Sequence, residues 1–131
     1  MLRSVYFEGE LGDKFIPYME IDCESPVQVF KCLDANFPDF KEYMIEKEEQ
    51  GVGYHIEVEG NELEYVEELL MKTGPGDIII TPVPAGAKSG FGKILAAVAI
   101  VALIVWNPAN IFYTKSLTAV GTGAKVGFSY S

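Results

Sequence analysis

The stretch "PAGAKSGFGK", residues 84–93, carries the ingredients of a phosphate cradle: glycines, two lysines and a serine, directly after a β-branched run. A nucleotide-binding loop of this kind reads GxxxxGK[ST]. Its backbone N–H groups hold the phosphates, its lysine reaches the terminal ones, and its hydroxyl holds Mg²⁺. Aligned on Gly92–Lys93, the first glycine falls at Ala87 and the hydroxyl position at Ile94. Starting instead from Gly86 places Phe91 where the second glycine belongs. The register therefore excludes nucleotide chemistry, and the segment reads as a linker rich in small residues.

Other chemistry-bearing residues are sparse. His55 is the only histidine, and no serine, cysteine or carboxylate stands at a spacing that would make it a base or a metal ligand. It reads as an exposed residue on a strand. Cys23 and Cys32 do not form a CxxC pair and read as small, reduced core residues. The acidic clusters "EKEEQ" and "EYVEE" lack the spacing of a calcium loop and read as solvated faces. No nucleophile and base can be assembled, so the sequence points to a protein that is not an enzyme and needs no metal or cofactor.

The elements around these residues follow from periodicity. "LRSVYFEG" alternates, with Arg3, Val5 and Phe7 on one side and Leu2, Ser4 and Tyr6 on the other, as in a strand. "GELGDK" reads as a turn and "FIPYMEIDC" as a second strand, making a hairpin with Pro17 at an edge. In "ESPVQVFKCLDANF", Ser25 reads as an N-cap and Pro26 as the first helical residue. Gln28 completes a capping box, and Val29, Phe30 and Leu33 form the buried stripe beside Val27 and Ala35. Pro38 should stop this helix near Asn36. "PDFKEYMIEKEEQ" reads as a second helix, with Phe40, Tyr43, Met44 and Lys47 at helical spacing. "GYHIEVEG" reads as a half-buried strand, and "NELEYVEELLMK" as a short helix or an irregular stretch. "TGPG" is a break, and "DIIITPV" a central strand buried on both faces. The order suits an α+β fold, a ubiquitin-like β-grasp sheet with its first and last strands paired at the centre. A ferredoxin-like fold would need a helix between strands one and two.

Charge divides the chain. Residues 1–82 hold all 19 acidic and six basic residues, a net −13, whereas residues 83–131 hold four lysines and no acid. The division predicts a β-grasp domain over 1–84, a glycine-rich linker over 85–93 and a hydrophobic C-terminal helical tail over 94–131. The overall charge of −9 argues against nucleic-acid binding, and the N-terminus has no apolar core of a cleaved secretory peptide. From Ile94 to Trp106 no side chain is polar. Such a helix would be about 20 Å long, short of the roughly 30 Å hydrocarbon core of a bilayer, and it lacks the polar face of a surface helix. It must be covered by protein or lipid.

Three stretches, "YFEGELGDKF" (6–15), "SPVQVFKCLDANFPDFKEYM" (25–44) and above all "IIITPVPAGAKSGFGKIL" (78–95), resemble the tail assembly protein I family of lambda-like siphophages. The resemblance spans roughly residues 2–107, and many relatives continue into longer glycine-rich tracts. It implies a ubiquitin-like N-terminal domain, a hydrophobic C-terminal region, and a place at the virion tail tip after synthesis in the host cytoplasm. The implied partners are tail hub proteins and the central receptor-binding fibre. A neighbouring tail protein with peptidase domains would be a further partner, processing the linker at Gly86, Ala87, Lys88, Ser89, Gly90 or Gly92.

Together these readings predict a structural protein whose domain docks on the hub. Ile94, Leu95, Val98, Ile100, Val101, Leu103, Ile104, Val105, Trp106, Ile111, Phe112 and Tyr113 would insert into a lumen as a plug, or contact the host membrane on release. Two alternatives stay open at this point. One is a sulfur-carrier-like or protease-processed ubiquitin-like binding module, although no Gly-Gly pair occurs. The other is a small membrane-active protein.

Overall fold

The structure, a computed structural model, describes residues 2–84, 92–105, 116–121 and 124–129. The fold is mixed α+β. Strand β1 (Leu2–Phe7) leads into a short helix, α1 (Gly9–Lys14), and strand β2 (Tyr18–Asp22). Helices α2 (Val27–Asn36) and α3 (Phe40–Glu49) follow, then strands β3 (Gly53–Val58) and β4 (Asn61–Glu62). A 3-10 turn (Val66–Leu70) precedes strand β5 (Ile78–Val83). After it come β6 (Leu95–Ala96), α4 (Ala97–Val105), β7 (Ser116–Gly121) and β8 (Ala124–Ser129).

The sheet runs in the order β4-β3-β5-β1-β2-β7-β8, with β6 also paired to β3. β1 and β5 are parallel neighbours in its middle, in register Val5 to Ile78 and Phe7 to Ile80. β1 and β2 are antiparallel, with Val5 opposite Met19. β3 lies antiparallel to β5, with Ile56 opposite Ile80. Val5, Phe7, Met19, Ile21, Tyr54, Ile56, Ile78 and Ile80 all point to one face, where they share a single core with α2, α3 and α4. Burying these large side chains contributes about 1.5–3 kcal/mol each.

The alternation predicted for β1 holds, and Arg3 shows why a cation can sit on its buried face. The guanidinium donates to Thr73 Oγ1 at 2.8 Å, Thr73 O at 3.2 Å and Gly74 O at 2.6 Å. These bonds offset the cost of desolvating the charge and tie the "TGPG" break to the sheet.

Helix α2 begins at Val27, one residue later than expected, with Pro26 rather than Ser25 at the N-cap and therefore no side-chain cap from that position. Gln28 reaches back as in the expected box, but to the residue before Ser25: its Oε1 accepts the Glu24 N–H at 2.7 Å. Ala35, placed beside the buried stripe by periodicity, is exposed. The helix stops where Pro38 predicts, with Phe37 extended at φ −125° and ψ 102°.

Three expectations change. "GELGDK" is a helical turn, α1, and the link between β1 and β2 is therefore longer than a tight hairpin. Gly12 in it is buried, and a Cβ there would land on the Phe7 carbonyl, so this glycine serves a close approach. β5 is central as predicted, but its two faces are closed unequally: Ile78 and Ile80 are buried in the core, while Ile79 and Thr81 on the other face are half-exposed and only Val83 at its end is buried. The reason is that the core helices gather on one face of the sheet. Finally, the helical tail expected to stand apart over 94–131 is helical only in α4 among the described residues: β7 and β8 are strands that extend the sheet beyond β2, and residues 94–105 are part of the core. β6 pairs with Gly53 and Tyr54 of β3. Leu95, Ala97, Ile100 and Ile104 then join the central cluster.

Candidate functional site

The apolar run that the sequence singles out becomes a helix with two unlike sides. β6 fixes its entry, because Leu95 lies opposite Tyr54 and Ala96 opposite Gly53. The first free N–H groups of a helix need an acceptor, and one comes from the acidic domain: Glu48 Oε1 accepts the Val98 N–H at 3.1 Å. A carboxylate there also complements the positive end of the helix dipole.

From that start, Ala97, Ile100 and Ile104 turn inward and are buried, and Val101 and Leu103 are partly buried against the core. Val98 is 53% exposed and Val105 63% exposed. Ala102 is exposed as well. The outer side of α4 is thus as apolar as the inner side, with nothing in the described structure over it.

Of the residues predicted to insert, Leu95, Ile100 and Ile104 are buried in this chain's own core, and Ile94 is half-buried. This corrects the expectation of insertion for those residues while the domain is folded: the sheet and helices α2 and α3 already supply the apolar cover they require. Trp106, Ile111, Phe112 and Tyr113 lie outside the described residues, as do the linker residues Gly86, Ala87, Lys88, Ser89 and Gly90. Gly92 is described. It has φ +76°, and a Cβ there would come within 2.8 Å of a Glu62 carboxylate oxygen. The chain therefore passes close over β4 on its way to β6.

His55 was expected to be exposed and is not. It is 9% exposed, with Nε2 3.1 Å from Glu62 Oε2 and Nδ1 4.0 Å from Glu57 Oε1. The return of the chain through the two-residue strand β4 brings Glu62 over the histidine, a tertiary contact that strict alternation cannot reveal. Cys23 and Cys32 are buried free thiols, as the sequence suggests, and burial pushes the Cys32 thiol up to about 12. Among the described residues, no group of three or more His, Cys, Asp or Glu side chains could hold a metal ion. No described helix is long and apolar enough to cross a membrane.

A second feature escaped the sequence reading. A cleft of about 250 Å³ is lined by Gly9, Glu10, Tyr43, Lys47, Val52, Pro82 and Pro84, at the end of β5. The Glu10 carboxylate accepts from Lys47 Nζ at 2.6 Å and from the Tyr43 hydroxyl at 3.0 Å. Those bonds, Lys47 first, hold its carboxyl below the ordinary value. Burial, and then the bond to Glu10, pushes the Tyr43 phenol up. Glu10 and Lys47 thus form an ion pair at the cleft. Nearby, the Tyr54 hydroxyl is buried and has no hydrogen-bond partner among the described residues. The "GELGDK" helix and Lys47 meet here only through the fold, and no local spacing signals it.

Comparison with protein-family models, curated proteins and solved structures finds no match.

Proposed function

We propose that this chain is a non-enzymatic structural and assembly protein of a long, non-contractile phage tail tip. In this reading the strands and helices up to residue 105 form a ubiquitin-like β-grasp domain, extended at the β2 edge by β7 and β8, that docks on tail hub proteins. The parallel β1–β5 pair at the sheet centre, the antiparallel β1–β2 pair and the helices gathered on one face support the β-grasp assignment. The ferredoxin-like alternative, which needs a helix between strands one and two, loses support because α1 joins two antiparallel neighbours instead of crossing to a parallel one.

One observation carries the docking role. Helix α4 has no polar side chain, buries one side and leaves Val98 and Val105 uncovered on the other. A surface helix ordinarily turns a polar face to water, and a contiguous exposed apolar patch marks an interaction site. The resemblance of residues 78–95 to the tail assembly protein I family supplies the setting. Because Leu95, Ile100 and Ile104 are held in the domain and β7 and β8 are strands of its sheet, the plug would consist of the outer side of α4 together with Trp106, Ile111, Phe112 and Tyr113, which lie outside the described residues. It would enter the lumen of the hub or central receptor-binding fibre. The glycine-rich linker is the place where a tail peptidase protein would cut. Release toward the host envelope would follow during genome ejection.

The test is a Val98→Glu, Val105→Glu double variant supplied in place of the wild-type gene in its virus. The reading expects a chain that keeps its secondary structure and melting temperature while complete tails fall at least about tenfold, a loss typical of disrupted interface anchors. Normal tail yield from a folded variant would overturn it.

A further inference from the structure

The uncovered side of α4 does not stand alone. Val98 and Val105 are seven residues apart, so they lie on the same side of the helix about 10.5 Å along its axis. Glu48 of α3 caps α4 at Val98, and Ile45 lies three residues before Glu48, on the flank of α3 beside this contact. Ile45 is itself 47% exposed. An apolar strip therefore continues from α4 onto α3.

The edge of that strip is acidic. Glu42, Glu46 and Glu49 are all exposed on the outer side of α3, and among the described residues none of the three has an ion-pair partner. The basic residues of α3 are already engaged: Lys41 with Asp34 at 3.7 Å and Lys47 with Glu10 at 2.6 Å.

We infer that this strip receives an amphipathic helix of a partner protein, with an apolar stripe at i, i+3 or i+4, and i+7 flanked by lysine or arginine. An amphipathic helix laid along an apolar groove anchors through residues at that spacing, and two turns of it match the separation of Val98 and Val105. The glutamates decide the flanking charge, since complementary potentials set register and partner choice. They also disfavour the rival occupants. An anionic lipid surface would meet like charge, and a second copy of this chain would bring two acidic edges together. The inference rests on the docking reading only in needing a partner at this face, and does not require that partner to be a tail protein.

The experiment uses the full chain and two designed helical peptides of about 18 residues, long enough to hold helical structure. They share one leucine stripe and differ in lysine or glutamate flanks. Fluorescence anisotropy should show the lysine-flanked peptide binding at least about tenfold more tightly. A Glu42→Lys, Glu46→Lys, Glu49→Lys variant should reverse the preference. A Val98→Asn, Val105→Asn variant should lose both peptides while its melting curve stays that of a folded protein. Binding that ignores flank charge, or no binding of either peptide, would overturn the inference. So would binding to phosphatidylcholine or phosphatidylglycerol vesicles in preference to the peptide, or self-association of the chain that Val98→Asn abolishes.

Discussion

The carboxylate of Glu48 accepts the backbone N–H of Val98 at 3.1 Å, so the acidic half of the chain caps the apolar helix that its own composition would set apart. Loss of a helix N-terminal acceptor costs about 0.5–2 kcal/mol. Glu48→Ala is expected to lower stability within that range, and Glu48→Gln by less, because an amide oxygen still accepts. Urea unfolding midpoints distinguish the two; equal midpoints for wild type and Glu48→Ala would remove the cap from the account.

The two sides of α4 should respond differently to truncation. Ile100 is fully buried, and Ile100→Ala is expected to cost about 2–5 kcal/mol through lost burial and the cavity left behind. Val98→Ser, on the exposed side, is expected to stay within about 0.5 kcal/mol. Thermal unfolding of both variants checks whether residues 94–105 belong to the domain; a silent Ile100→Ala would say that they do not.

Much of this architecture is legible in the sequence. Alternation places Val5 and Phe7 inward, Pro38 stops α2, and the β-branched run before Pro82 is a central strand. The misses share a physical cause, which is that tertiary contacts override local signals. Gly12 reads as a turn former, yet it is there because the Phe7 carbonyl leaves no room for a Cβ. His55 reads as exposed because Glu62, brought in by β4, is far from any strand pattern. The apolar run shows that α4 needs cover on every side. No periodicity could show that the domain itself provides half of it.

Gly12 gives a sharp test of that close approach. Gly12→Ala is expected to destabilise by several times the roughly 1 kcal/mol that Ala gains over Gly in a helix interior, with the sign reversed by the clash. Circular dichroism melts would show it. A stabilised Gly12→Ala variant would mean that the Phe7 carbonyl can move aside.

The buried hydroxyl of Tyr54 makes the opposite prediction. An unsatisfied buried polar group costs about 1–3 kcal/mol, so Tyr54→Phe is expected to be neutral or stabilising and to raise the melting temperature. A clear loss of stability would reveal a bonding partner for that hydroxyl.

Alkaline pH should weaken the fold. Burial raises the Cys32 thiol from 9.0 to about 12, and it raises the Tyr43 phenol as well. Above pH 9 the unfolded chain has released a Cys32 proton that the folded chain retains. Stability present below pH 9 is therefore lost as pH rises toward 12. Urea midpoints measured between about pH 8 and 10.5 should fall, and fall less steeply in Cys32→Ala. A flat profile would mean that the thiol is open to solvent.

The central claim, that the outer side of α4 is a docking face within a tail tip, is tested most directly in assembled particles. A photoreactive amino acid is placed at Val98, Val105 or, as a buried control, Ile100, and, under the proposed phage-tail role, virions assembled with this chain are irradiated and analysed by mass spectrometry. The account predicts cross-links from positions 98 and 105 to a different tail protein, and only links within the chain from position 100. Absence of the chain from virions, or positions 98 and 105 that link to nothing, would contradict it.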